Sequence, residues 1–225
     1  AEALVRWIDP EKGMIPIVSF LPSLEENGLI EEVDLCIFEK ICAQINQWIQ
    51  KYGRKIHISV NLSRCAFDYR YFFKDYVERY DKSPCPKDCI EFELLESIVL
   101  NQVDRVKEVV SEIKDFGFSC SLDDFGSGYS SFSVLTNSDI STLKIDRSLF
   151  RNVTDSREKI LLRHVLQTAQ ELHMKTVAEG VETQEYVEFL KELDCDYVQG
   201  YVYYRPMPPE EFEERFLIRN EKIDL

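Results

Sequence analysis

The chain has 225 residues, long for one β-sandwich and ordinary for one α/β barrel, and its 44% apolar, 12% aromatic composition suffices for a sizeable core, so a single globular domain spanning 1–225 is the starting expectation. Lys and Arg number 27 against 41 Asp and Glu, a net charge of −14. That balance argues against a nucleic-acid polymer or a membrane surface as partner, since both require a basic face, but it admits a small phosphate-bearing ligand reached through metal ions.

Strand-like runs fall at "ALVRWI" (3–8), "KIHISVN" (55–61), "CIEFELL" (89–95), "FSCSLDD" (118–124), "TLKID" (142–146), "KTVAE" (175–179) and "YVQGY" (197–201). Helical segments separate most of them. Residues 33–50 carry Val33, Ile37, Ile41, Ile45 and Trp48 at a spacing near 3.6, and residues 99–116 repeat the pattern with Val99, Val103, Val106, Val110, Ile113 and Phe116. A third helix is predicted over 157–172, with a capping box from Asp155 to Glu158, and a fourth over 183–193. Repeated β-then-α units imply a mainly parallel sheet covered by helices. Seven strands are one short of a closed (β/α) barrel. The alternative, an open doubly wound sheet, lacks a Gly-rich phosphate turn after the first strand. The chain starts without Met and directly on a strand, so the missing strand is expected upstream in a longer protein.

Seven cysteines (Cys36, Cys42, Cys65, Cys85, Cys89, Cys120 and Cys195) are odd in number and scattered, which reads as reduced thiols of a cytosolic protein. Cys85 and Cys89 lack a second pair, and three histidines are too few to suggest zinc. No signal peptide or membrane span is visible.

The polar residues at the strand ends carry the functional signal. Glu2 opens the first strand and Asn61 ends the second. Glu93 and Glu96 lie near the end of the third, Asp123 and Asp124 end the fourth, and Lys144 and Asp146 end the fifth. Glu179 ends the sixth and Gln199 falls within the seventh. In a parallel barrel these ends share one face, where such folds carry their chemistry. Taken singly, Glu2, Glu93 or Glu179 is more often a helix cap or a solvated loop residue, and Asn61 an Asx-turn residue. Lys144, between Leu143 and Ile145, is expected to point inward. Together, so many carboxylates on one face repel unless cations bind among them. Carboxylate and amide oxygens suit hard ions such as Mg²⁺, Mn²⁺ or Ca²⁺.

The motifs "EALVRW" (2–7), "FLPSLEENGLI" (20–30), "VNLS" (60–63), "ELLES" (93–97), "LDDFGSGYSS" (122–131), "LKIDRS" (143–148), "VAEGVET" (177–183), "VQGY" (198–201) and "RPMP" (205–208) occur in one order across nearly the whole chain. In this the sequence resembles the EAL domain family, bacterial phosphodiesterases that open the second messenger cyclic di-GMP to linear pGpG. The resemblance implies a TIM-like (β/α)8 barrel with one antiparallel strand and a two-metal hydrolytic site taking Mg²⁺ or Mn²⁺, with Ca²⁺ inhibitory. It assigns the first ion to Glu2, Asn61, Glu93 and Asp123, and the second to Asp123, Asp124 and Glu179. Lys144 would touch the attacking water, Glu179 would serve as base, and Glu182 and Gln199 would support the site. Leu4, Arg6 and Asn61 would contact substrate, with Arg6 on a phosphate. Glu96 would anchor a regulatory loop through Asp124, Phe125, Gly126, Ser127 and Gly128. The resemblance further implies cyclic di-GMP as partner, a homodimer, and upstream GGDEF or sensor modules in a bacterial cytoplasmic protein, membrane-anchored only through such upstream segments.

Two departures stand out: Leu95 replaces a threonine usual in the family, next to Glu96, and Ser23 and Leu24 alter the usual "PLAEE". Leu95 favours the competing reading of a catalytically silent cyclic di-GMP receptor, although such proteins usually lose metal ligands and this chain keeps them. The "DFG" triplet at 124–126 also invites a kinase reading, which fails for want of a Gly-rich loop and a His-Arg-Asp motif.

Overall fold

The computed structural model describes residues 1–67, 71–128, 135, 139–151 and 156–221. They form two compact units, Ala1–Glu93 with Ser111–Ser119, and Leu94–Val110 with Cys120–Leu225. Among the described residues no helix is long and apolar enough to cross a membrane.

The first unit opens with a two-residue strand, β1 (Glu2–Ala3), and then an antiparallel hairpin, β2 (Trp7–Asp9) and β3 (Gly13–Ile15), paired Trp7 to Ile15. The single strand expected over 3–8 is therefore two elements. The hairpin turn is built by "DPEKG": Asp9 Oδ1 accepts from the backbone N–H of Glu11 and Lys12 at 2.9 and 2.8 Å, and Gly13 takes φ +73°. Helix α1 (Ile17–Glu26) was not among the expected helices; it contains Pro22, which removes one helical donor.

Helix α2 (Ile30–Tyr52) has Glu31 and Glu32 in its first turn and Lys51 in its last, complementing the helix dipole. Gly53 ends it at φ 66°, donating to the Ile49 carbonyl at 2.8 Å. Its buried stripe is Ile30, Leu35, Phe38, Cys42, Ile45 and Trp48. Ile45 and Trp48 of the expected stripe are in it, whereas Val33, Ile37 and Ile41 are half-buried flanks, with Leu35, Phe38 and Cys42 buried in that half of the helix instead. Strand β4 (Ile58–Asn61) follows, then helix α3 (Phe72–Tyr80) and strand β5 (Ile90–Leu95). β1 and β5 both pair parallel with β4. The core of this unit is aromatic. The Phe38 ring lies 5.1 Å from Tyr76 and 5.6 Å from Phe92, and Phe118 packs 5.5 Å from Phe92.

The helix predicted over 99–116 is two helices, α4 (Glu96–Asn101) and α5 (Val103–Phe116). Gln102 between them leaves helical geometry at φ −137°, ψ 46°. The second unit then carries strands β6 (Ser119–Phe125) and β7 (Thr142–Ile145), helix α6 (Ser156–Glu171), strand β8 (Lys175–Ala178), helix α7 (Gln184–Glu192) and strand β9 (Tyr197–Val198). Its strands pair parallel in that order. Aliphatic side chains, including Leu122, Leu143, Ile145, Leu162, Leu166 and Leu190, fill its core. The expected cap at Asp155 lies outside the described residues. A short helix α8 (Pro209–Phe212) runs into a π-helical segment at Glu213–Ile218.

Candidate metal centre

In the first unit, regular pleating collects three predicted residues. Glu2 pairs in register with Ser59, and Asn61, two residues on, pairs with Glu93. Residues two apart on a strand face the same side, and partners in register do too, so Glu2, Asn61 and Glu93 share one side of these strands. Asn61 Nδ2 donates to Glu2 Oε1 at 3.0 Å, and Glu93 is 1% exposed. Leu4 and Arg6, expected to meet substrate, are exposed on the segment between β1 and β2, where the Arg6 guanidinium bonds the Val5 carbonyl.

The second unit brings four more together. Thr142 pairs with Ser121 and with Lys175, so Asp123, Lys144 and Glu179, each on the same alternation, face one side. Lys144 Nζ sits 3.0 Å from Asp123 Oδ1 and 2.8 Å from Glu179 Oε1. Lys144 and Asp123 are 4% and 7% exposed, so this contact is made in a desolvated place, where removing one partner is far more costly than at the surface.

Asp124 should point away, being next to Asp123 on a strand. It does not. Between Leu122 and Phe125 three steps along β6 match the two steps from Leu143 to Ile145 on β7, so β6 holds one extra residue. Asp124 occupies that bulge at φ 57°, a left-handed conformation that Asp tolerates better than most side chains. As a result Asp123, Asp124 and Glu179 each offer a carboxylate oxygen within 4.8 Å of the others. These three and Lys144 carry a formal charge of 1 − 3 = −2, and all donors are hard oxygens, the set that a Mg²⁺ or Mn²⁺ ion suits.

Two contacts fix the backbone that follows. The Gly126 N–H donates to Glu96 Oε2 at 3.1 Å, with Glu96 2% exposed, and Ser127 N–H donates to the Asp124 carbonyl at 3.0 Å. Leu95 is the residue before α4 and offers no side-chain cap. Gly128 is exposed, and the rest of "YSS" at 129–131 lies outside the described residues. Glu182 is exposed and pairs with Arg147 at 2.6 Å. Gln199 follows β9, its N–H bonded to the Ala178 carbonyl at 2.8 Å. Gly200 next to it is sterically required, since a Cβ there would stand 2.1 Å from the Val181 carbonyl oxygen. Sequence reasoning gave no role to Asp146 or Ser148, although both stand in "LKIDRS"; Asp146 Oδ1 caps the turn at Arg147–Phe150 by accepting from Ser148 N–H at 2.9 Å.

The family model "EAL domain" matches residues 1–206. The chain belongs to the EAL domain family. It is 33% identical over 225 residues to the cyclic di-GMP phosphodiesterase PdeR of Escherichia coli, covering 97% of this chain and 33% of that protein. It is 30% identical over 214 residues to the cyclic di-GMP phosphodiesterase NbdA of Pseudomonas aeruginosa, covering 95% of this chain and 27% of the relative. Among solved structures, "PaMucR Phosphodiesterase, c-di-GMP complex" matches with a TM-score of 0.87 at 32% identity, over 94% of this chain and 86% of that one. The fold class is thus the α/β, TIM-like barrel type of EAL domains; the described antiparallel pairing is that of the β2–β3 hairpin. The EAL chain spans about a quarter to a third of the length of these curated relatives.

Proposed function

We propose that this EAL domain is a metal-dependent phosphodiesterase that hydrolyses one phosphodiester bond of cyclic di-GMP to give linear pGpG. The observation that carries the reading is the convergence of Asp123, Asp124 and Glu179 around Lys144. Names of relatives and of the PaMucR complex point to the same substrate.

Asp123, Asp124 and Glu179 would hold one divalent ion, and Glu2, Asn61 and Glu93 would furnish ligands for another. Bound Mg²⁺ or Mn²⁺ supplies charge neutralisation at the phosphate and lowers the pKa of a water toward about 7. The chain's own groups do the rest. Glu179, held by Lys144, accepts a proton from the attacking water. The water oxygen bonds phosphorus as the bond from phosphorus to the ribose 3′ oxygen breaks, and that oxygen takes up a proton from solvent to become the 3′ hydroxyl of pGpG. The Lys144 ammonium stands where negative charge grows, and it costs no reorganisation because Asp123 and Glu179 already fix it. Arg6 and Leu4 belong to the substrate side, and Gln199 and Glu182 support the site. The loop from Asp124 to Gly128, tied to Glu96, is read as the regulatory segment.

Incubating the chain with cyclic di-GMP and Mg²⁺ or Mn²⁺, and resolving nucleotides by chromatography, tests the proposal. Linear pGpG should appear with metal and vanish with a chelator. Tight cyclic di-GMP binding with no product, unchanged by metal, would instead select the receptor reading that Leu95 favours. Dimerisation and control by further modules of a longer protein complete the proposal, as does a role in lowering cytoplasmic cyclic di-GMP.

A further inference from the structure

Asp124 is useful only in its left-handed bulge, and something must hold it there. Gly126, two residues on, is held through both of its backbone polar groups. Its N–H donates to Glu96, and its carbonyl accepts from Ser148 Oγ at 2.8 Å. Ser148 is itself fixed, because its backbone N–H donates to Asp146 Oδ1 at 2.9 Å, while the Asp146 N–H donates to the Phe125 carbonyl at 3.0 Å. The adjoining Leu149 side chain fills the space a Gly126 side chain would need, 2.2 Å from an ideal Cβ, with Gly126 at φ 96°. The turn after β7 therefore touches residues 125 and 126 at three points, immediately beyond Asp124.

We propose that Ser148 is a positioning residue for the metal centre: its hydroxyl, through the Gly126 carbonyl, keeps Asp124 in the left-handed bulge that turns its carboxylate toward Asp123 and Glu179. Glu96 holds the preceding peptide, Phe125–Gly126, by its N–H, and Ser148 holds the following one, Gly126–Ser127, by its carbonyl, so the two contacts together fix the backbone on either side of Gly126. Loss of the Ser148 hydroxyl releases the Gly126–Ser127 peptide, whose N–H end donates to the Asp124 carbonyl at 3.0 Å, so the turn that follows Asp124 is held less firmly. The Asp124 carboxylate then spends less time within reach of the other two. Substitutions of residues that orient metal ligands typically cost about 10–100-fold in metal affinity. The inference rests on the reading of Asp123, Asp124 and Glu179 as metal ligands.

The test measures Mn²⁺ binding directly, by the loss of the free-ion electron paramagnetic resonance signal, on wild type, Ser148→Ala, Ser148→Thr and Asp124→Asn. Ser148→Ala should bind Mn²⁺ roughly 10-fold more weakly, with little change in melting temperature, and Ser148→Thr, which keeps the hydroxyl, should recover most of the affinity. Ser148→Ala with wild-type Mn²⁺ affinity overturns the positioning role, provided Asp124→Asn binds weakly. Wild-type affinity in Asp124→Asn overturns the metal reading itself. Should Ser148→Ala fail to fold, Ser148→Cys, of similar shape and with a poor donor, takes its place under the same criteria.

Discussion

The two units assemble their candidate site residues by different means. In the first, Glu2, Asn61 and Glu93 arrive on one side through uninterrupted parallel register, over a core of stacked and edge-on aromatic rings. In the second, register brings only Asp123, Lys144 and Glu179 into line, and a bulge with a left-handed Asp124 adds the fourth member. Regular strands deliver one side chain every second residue. Placing two adjacent carboxylates on one ion demands a break in that pattern, and such breaks are held by neighbouring contacts rather than by local preference.

The contrast can be broken most sharply at Lys144. Lys144→Met keeps the stem and removes the cation between Asp123 and Glu179, so turnover of cyclic di-GMP should fall by roughly 10²–10³-fold in steady-state assays. A loss under tenfold would mean that the second unit does not depend on its internal cation. Asp124→Gly separates backbone from chemistry. Glycine adopts the left-handed geometry without strain, so the melting temperature should hold or rise, while loss of the carboxylate lowers turnover by about 10²-fold. Turnover near wild type would reduce the bulge to a structural feature.

Two smaller effects probe each unit away from its candidate metal ligands. Gly200→Ala forces a Cβ against the Val181 backbone and should cost about 1–3 kcal/mol, read as a lower denaturant midpoint at unchanged slope. In the first unit, Asp34 of α2 accepts from the Ser63 N–H at 3.0 Å, and burial raises its pKa to about 6. The folded state therefore holds this proton between pH 4 and 6 while the unfolded chain has released it. Stability from this group is greatest at low pH and declines as pH rises through that window. Asp34→Asn, which cannot ionise, should gain on the order of 1 kcal/mol relative to wild type between pH 4 and 7, measured by urea unfolding at both.

The same contrast marks what was legible beforehand. Asn61 and Glu93 in the first unit, and Asp123, Lys144 and Glu179 in the second, stand at or beside strand ends, and parallel pairing predicts a common side for each set within its own unit. The place of Asp124 was not legible, because the extra residue on β6 is defined only against β7. The β2–β3 hairpin was hidden in an apolar run whose turn, "DPEKG", depends on the Asp9 carboxylate rather than on a two-residue Asn-Gly signal. The α2 stripe is as expected at Ile45 and Trp48 and differs in the first half of the helix, where β-branched Val33, Ile37 and Ile41 match the helical period as well as the Leu35, Phe38 and Cys42 that are buried. Ser148 acts through one backbone carbonyl, a contact that no residue pattern announces.

The most direct measurement is the rate of pGpG formation against Mn²⁺ concentration for wild type and Asp123→Ala, with circular dichroism on the same samples. The account predicts metal-dependent pGpG release by wild type, and none by an Asp123→Ala protein whose spectrum is unchanged. Near-normal turnover by folded Asp123→Ala would contradict it.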